Sequence, residues 1–131
     1  MDSTGTKMVL VIRKDLNMRR GKQIAQGAHA AMKVFLDRKI LSSDPQMLMI
    51  NMTEDMAAWV HGQFTKICVS VNSEEELLNI YRMAGAKQLP CSLIQDQGHT
   101  EFAGQLTYTA CCVGPAKAEL IDEITGKLPL L

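Results

Sequence analysis

The run KMVLVIR, Lys7 to Arg13, is apolar and β-branched with little alternation, the pattern of a strand covered on both faces. A polar loop, KDLNMRR, follows, and from Gly21 the period becomes helical. Ile24, Ala28, Ala31, Met32 and Phe35 share one face with Leu36 beside them, which predicts a helix that buries this face and ends near Leu41. Ser43 or Asp44 then caps a second helix with Pro45 in its first turn, and Met49, Met52 and Met56 form a core-facing stripe until Gly62. KICVSV, Lys66 to Val71, reads as a strand. Ser73 caps a third helix, Glu74 to Glu76 complement its dipole, and Gly85 stops it. CSLIQD is a short strand opening into the polar loop QGHTEFAGQ. LTYTACCV is a further strand, and GPAKAELIDEIT a last helix with Pro115 near its start. Strands alternating with helices predict an α/β single domain with a four-stranded mixed sheet.

The length of 131 residues suits one domain with a core of its own, with residues 1–6 left outside it as a flexible N-terminus. Apolar residues make up 47% of the chain and charged ones 21%, ordinary for a globular protein, and no apolar run reaches the length of a membrane helix. MDSTGTK lacks the basic and apolar regions of a secretory signal, which favours the cytoplasm. Cys68, Cys91, Cys111 and Cys112 lie in strand-like segments without zinc or C-x-x-C spacing and read as buried reduced thiols. The zero net charge hides an asymmetry: residues 1–40 hold nine Lys/Arg against three Asp/Glu, and residues 41–131 five against eleven. A uniformly basic nucleic-acid binder is thereby disfavoured, but a local basic patch is not.

Candidate chemistry gathers in two places. Lys22, Gln26, His29 and Lys33, spaced four, three and four, form a second, polar face of the first helix, turned away from the apolar one. That face is continuous with Arg19 and Arg20, and the helix N-terminus adds unpaired N–H groups, so phosphate or another anion is a natural ligand. A solvated helix face beside a polar loop is the competing reading. The second place is DQGHTE, at the carboxyl end of the CSLIQ strand, where open α/β sheets gather ligands. If this strand and the first are parallel, Asp96, His99 and Thr100 face Lys22 across one crevice. The alternative is a polar turn in which Asp96 satisfies backbone N–H groups and Gly98 supplies an unusual backbone angle. His61 falls in a connecting loop. No Ser/His/Asp order, P-loop, dinucleotide fingerprint or metal-ligand cluster is present.

KMVLVIRKDLNM, GKQIAQGAHAA, SLIQDQGHTE and VGPAKAELIDEITGKLPLL, in this order, resemble the type II peptidyl-tRNA hydrolase family from about Lys7 to Leu131. The resemblance implies that residues 7–131 form a peptidyl-tRNA hydrolase-like domain, a four-stranded mixed sheet with helices on both faces. It implies a metal-independent, cofactor-free esterase that cleaves the bond between a peptide and the 3′ ribose of tRNA. By motif match, Lys22, Asp96 and Thr100 carry over as catalytic residues, with Thr107 of QLTYT added less securely. Gln26 and His29, with His99 of the loop, would position substrate. Arg13, Lys14, Arg19, Arg20 and Lys33 would grip tRNA phosphates. The partner implied is peptidyl-tRNA, with no membrane, and the resemblance also brings a homodimer into consideration. Two features depart from the family pattern: MRRGK carries Arg19-Arg20 where a Gly-Lys pair is expected, and EFAGQ is shorter than the usual loop and lacks its prolines. Two other readings stay open, a non-catalytic RNA-binding or adaptor module of the same fold and a hydrolase of another acyl ester.

Overall fold

The computed structural model describes residues 5–40, 42–98 and 102–131. Strand β1 (Thr6–Arg13) is the central apolar run, one residue longer at its start than the sequence suggests, with Thr6 buried. Helix α1 (Arg20–Leu36) follows, then a two-stranded ribbon of β2 (Lys39–Ile40) and β3 (Met49–Ile50) and helix α2 (Glu54–His61). Strand β4 (Lys66–Val71), helix α3 (Glu74–Ala86), strands β5 (Cys91–Asp96) and β6 (Thr107–Lys117), and helix α4 (Ala118–Thr125) complete the chain. The main sheet has the order β4-β1-β6-β5. β1 and β4 are parallel, and β6 is antiparallel to both β1 and β5. β1, β4 and β5 therefore point the same way and end on one rim, as the crevice between Lys22 and Asp96 requires.

Crossovers between parallel strands are right-handed, and the connections β1→β4 and β4→β5 cross the sheet in opposite directions. Their helices must lie on opposite faces. One core holds Val9, Val11, Val69, Val71, Cys111 and Val113 of the sheet against Leu77, Ile80, Ile121 and Ile124 of α3 and α4. The other holds Met8, Ile12, Ile94, Ala110 and Cys112 against Ala30 and Val34 of α1 and Trp59 of α2. At the β4 edge the tail returns along the strand: Pro129 accepts from the Ser70 N–H at 2.9 Å and Leu131 donates to the Cys68 carbonyl at 3.2 Å. All four cysteines are free; Cys111 and Cys112 are buried, whereas Cys68 and Cys91 are half-buried. Burial pushes each thiol up from its ordinary value, so none is a ready nucleophile.

Three predicted elements differ. The first helix stops at Leu36, and the segment read as the start of the second helix makes the β2–β3 ribbon instead. α2 begins only at Glu54, where the Thr53 hydroxyl accepts from the Met56 N–H at 3.0 Å and caps the helix in place of Ser43 or Asp44. Of the methionine stripe only Met56 is fully buried; Met49 is exposed on β3. Gly114 and Pro115 belong to β6, and α4 starts three residues beyond that proline. Gly114 has φ +97°, and a Cβ there would lie 2.7 Å from the Lys7 carbonyl oxygen, so these glycine and proline signals mark a strand irregularity, not a helix start. Gly85 sits inside α3, and Gln88, at φ +59°, takes the left-handed position after it.

Candidate active site

The buried face of α1 is rotated relative to the sequence expectation: Ala31 and Phe35 still pack on the core, but Ile24, Ala28 and Met32 do not, and Gln26 does. Its buried residues are Gln26, Gly27, Ala30 and Val34, whereas Ile24 is 67% and Met32 62% exposed. Small residues at positions 27 and 30 let the helix approach the sheet closely; Gly27 lies over Leu10 and Ile12. The polar face is thereby rotated inward at its first two turns, and Lys22 and Gln26 meet the end of β5.

There Lys22 Nζ stands 2.8 Å from Asp96 Oδ2, with both side chains about 85% buried (13% and 15% exposed). Gln26 Nε2 donates to the same oxygen at 3.2 Å, and the Gly98 N–H donates to Oδ1 at 2.7 Å. Both carboxylate oxygens are thus occupied by donors. The Lys22 hydrogen bond, opposed by desolvation and assisted by Gly98 and Gln26, holds the Asp96 carboxyl below the ordinary value of 3.8. Gly98 has φ +81°, and a Cβ would fall 2.5 Å from the Gln105 carbonyl oxygen, so only glycine brings this N–H under the carboxylate. The turn geometry expected of DQG and the contact between Asp96 and Lys22 therefore occur together. The Phe102 ring lies 5.7 Å from the Lys22 ammonium.

β6 reaches this cluster through a register shift. Ile94 pairs with Ala110, but Gln95 pairs with Tyr108 and Asp96 with Thr107, which leaves Thr109 as the extra residue of a β-bulge. The bulge exchanges the two faces of the strand beyond it. Tyr108 turns to the α3 side, where it packs on that core, and Thr107 comes opposite Asp96. Thr109 donates a short hydrogen bond to Gln26 Oε1, and both residues are buried. Arg13 braces the same place by donating to the Tyr108 carbonyl at 3.0 Å. Thr109 and this brace are absent from the sequence expectation; the available signal was one polar residue opening the buried run TACCV.

Lys22, Gln26, Asp96 and Thr107 are therefore brought together, although the Thr107 hydroxyl itself donates to the Gln105 carbonyl at 3.0 Å. His99 and Thr100 lie outside the described residues. His29 is exposed on α1, beyond this cluster. Lys14, Arg19 and Arg20 are exposed around the N-terminus of α1, whose first turn has no acidic residue. Arg13 is instead inward, bound to Asp15 at 2.7 Å. Lys33 pairs with Asp37 at 2.9 Å, about 20 Å along the helix from Arg20 at 1.5 Å per residue, and does not join the basic patch.

The arrangement presents a fixed ammonium, a carboxylate and threonine hydroxyls at the carboxyl rim of the sheet, beside a cationic helix N-terminus. These are the parts that hydrolysis of an ester in an anionic substrate would use. Among the described residues no helix is long and apolar enough to cross a membrane, and no group of three His, Cys, Asp or Glu side chains is placed to hold a metal ion. A solved structure of a protein of unknown function from Agrobacterium shares the fold, with a TM-score of 0.59 at 12% identity, covering 97% of this chain and 98% of that one. A peptidyl-tRNA hydrolase of Methanocaldococcus jannaschii is 46% identical over 125 residues, covering 95% of this chain and 99% of its own. That of Sulfurisphaera tokodaii is 43% identical over 126 residues, covering 96% and 98%. The profile of the family described as peptidyl-tRNA hydrolase PTH2 matches residues 6–131, and with these relatives it shows that the chain belongs to that family.

Proposed function

We propose that this chain is a metal-independent peptidyl-tRNA hydrolase of the cytoplasm whose catalytic centre is the Lys22–Asp96 pair. The observation that carries the reading is the 2.8 Å contact between these side chains, with each Asp96 oxygen already accepting from at least one donor. A carboxylate held in this way, with its pKa depressed, is a weak base but a firm anchor. Asp96 accordingly orients Lys22, and the Lys22 ammonium stabilises the oxyanion that develops when water adds to the ester carbonyl. The new bond joins the water oxygen to the carbonyl carbon. The bond to the ribose 3′ oxygen breaks, and that oxygen takes the proton that the attacking water gives up. Thr107, opposite Asp96, orients the water, and the sequence match adds Thr100 to the same task. Gln26 holds Asp96 from below while Thr109 fixes Gln26.

Lys14, Arg19 and Arg20 would contact tRNA phosphates at the N-terminus of α1, where the dipole favours anions. A homodimer is part of the proposal. An apolar hollow of about 510 Å³ between α1 and α2 exposes Leu48, Val60 and Phe64 to a second copy. Sedimentation should show a dimer that Leu48→Glu dissociates; a monomeric wild type contradicts this part.

The function is tested with N-acetyl-aminoacyl-tRNA and the corresponding N-acetyl-aminoacyl-adenosine, each with and without EDTA. The expected result is EDTA-resistant release of the acyl group, with the tRNA ester strongly preferred. Equal use of both esters would indicate a general esterase. Tight tRNA binding without turnover would indicate an RNA-binding module.

A further inference from the structure

The two edges of the main sheet are treated differently. The edge of β4 is covered by residues 129–131 of the C-terminal tail. On the outer side of β5, among the described residues, no strand pairs and no backbone hydrogen bond from Cys91 to Gln95 extends beyond the β5–β6 ladder. The Gly114 N–H donates to the Pro90 carbonyl at 2.8 Å, which sets the phase of that ladder. Ser92 and Ile94, two and four residues on, turn their backbone groups towards β6. Cys91 and Leu93 direct theirs outward. An open strand edge is ordinarily a liability that a protein covers or blunts.

Beside this edge runs a groove of about 650 Å³, walled by His29, Met32 and Leu36 of α1 on one side and by Leu93 and Gln95 of β5 on the other. It starts next to Asp96 and leads away from the N-terminus of α1, where the cations that suit tRNA are gathered. The substrate joins a polyanion and a peptide through the one ester that the Lys22–Asp96 pair would cleave. If the nucleic acid lies on the cationic side, the peptide must leave by another path, and the groove supplies one with mixed walls, apolar at Met32, Leu36 and Leu93 and polar at the Lys33–Asp37 pair, beside the outward backbone groups of β5.

We propose that the groove between α1 and the free edge of β5 receives the nascent peptide as an added β-strand. This inference rests on the catalytic reading above. The direction follows from the chemistry. The ester carbonyl is the C-terminal end of the peptide and must sit at Asp96, the carboxyl end of β5, so the peptide runs parallel to β5. Recognition through backbone groups suits an enzyme whose substrates carry every peptide sequence. At about 3.3 Å per residue, β5 offers pairing for about five peptide residues.

The test uses tRNA esters of N-acetylated peptides of increasing length, with N-methyl groups placed at single backbone positions, and kcat/KM as readout. The expected result is a gain of about tenfold that saturates near about five residues. N-methylation should lower kcat/KM about fivefold at alternate positions and little at those between. Hydrogen exchange locates the site: a peptide joined to 3′-amino-adenosine by a stable amide should slow exchange at Cys91 and Leu93. Normal turnover of N-acetyl-aminoacyl-tRNA with no response to length would overturn the inference and leave the function standing. A length gain without alternation, or without protection of Cys91 and Leu93, would also overturn strand addition. Failure of every substrate, the N-acetyl-aminoacyl ester included, would overturn the catalytic reading together with the inference.

Discussion

Asp96 concentrates the chemistry of the site because it is both charged and fully engaged. Its folded pKa lies below the unfolded value, so the stability it contributes is complete above the ordinary value of 3.8 and is lost as pH falls through the depressed one. Asp96→Asn removes that component and leaves the Lys22 ammonium without its anion in a mostly buried place. The variant should therefore unfold at lower urea than wild type near pH 7, with the gap closing as pH falls below the ordinary value of 3.8. Urea titrations at several pH values check this, and a gap independent of pH would contradict it. Lys22 and Asp96 were legible chiefly through the family resemblance of GKQIAQGAHAA and SLIQDQGHTE, since alone a lysine on a helix and an aspartate at a strand end read equally as a solvated face and a polar turn. Thr109 was not visible. A threonine in a strand is unremarkable until the bulge turns it towards Gln26.

Helix α1 shows what hydrophobic periodicity does not record at the level of an element. Ile24 and Met32 are on the outside, and the inner stripe of its first turns is Gly27 and Ala30 plus Gln26, with Val34 and Phe35 packed further along. Close approach to the sheet favours Gly27 and Ala30, and the polar residue they carry inward finds Asp96 and Thr109 as partners, so its burial is compensated. Amphipathic reasoning weighs size and hydrophobicity, and it therefore places Ile24 and Met32 inside with Ala31 and Phe35, of which only the latter two pack on the core. Val34→Ala should cost about 2 kcal/mol, and Ile24→Gln less than about 0.5 kcal/mol, despite the larger and more hydrophobic side chain removed in the second. Chemical denaturation of the two variants checks the order, and a larger loss for Ile24→Gln would contradict the observed packing. The strands β1 and β4 were legible because short β-branched apolar runs favour strands, and β5 because an apolar stretch opens there into a polar loop. The β2–β3 ribbon was not, since two-residue strands leave no periodicity.

Over the whole molecule, parallel ends of β1 and β5 put the basic turn of α1 and the loop after β5 on one rim, although 74 residues separate Lys22 from Asp96. That proximity was conditional in the sequence, because strand order and direction depend on crossovers that no local pattern specifies. The charge asymmetry of the chain becomes a spatial one at the same rim, where Lys14, Arg19 and Arg20 are exposed. Replacing Arg19 and Arg20 together by alanine should raise KM for the tRNA ester. It should also reduce the slope of log(kcat/KM) against log[salt] by about 1 for each phosphate no longer neutralised, with kcat for N-acetyl-aminoacyl-adenosine nearly unchanged. Rates across a salt series check this, and an unchanged slope would remove these arginines from the tRNA surface.

The central claim is that Lys22 and Asp96 act as one catalytic unit. The most direct measurement is kcat/KM on N-acetyl-aminoacyl-tRNA for wild type, Lys22→Ala, Asp96→Asn and the double variant, each verified as folded. Either single change should lower kcat/KM by about a hundredfold or more, and the double variant should fall little further, since each change disables the same unit. Folded single variants that keep most of the wild-type rate, or losses that simply multiply in the double variant, would contradict that claim.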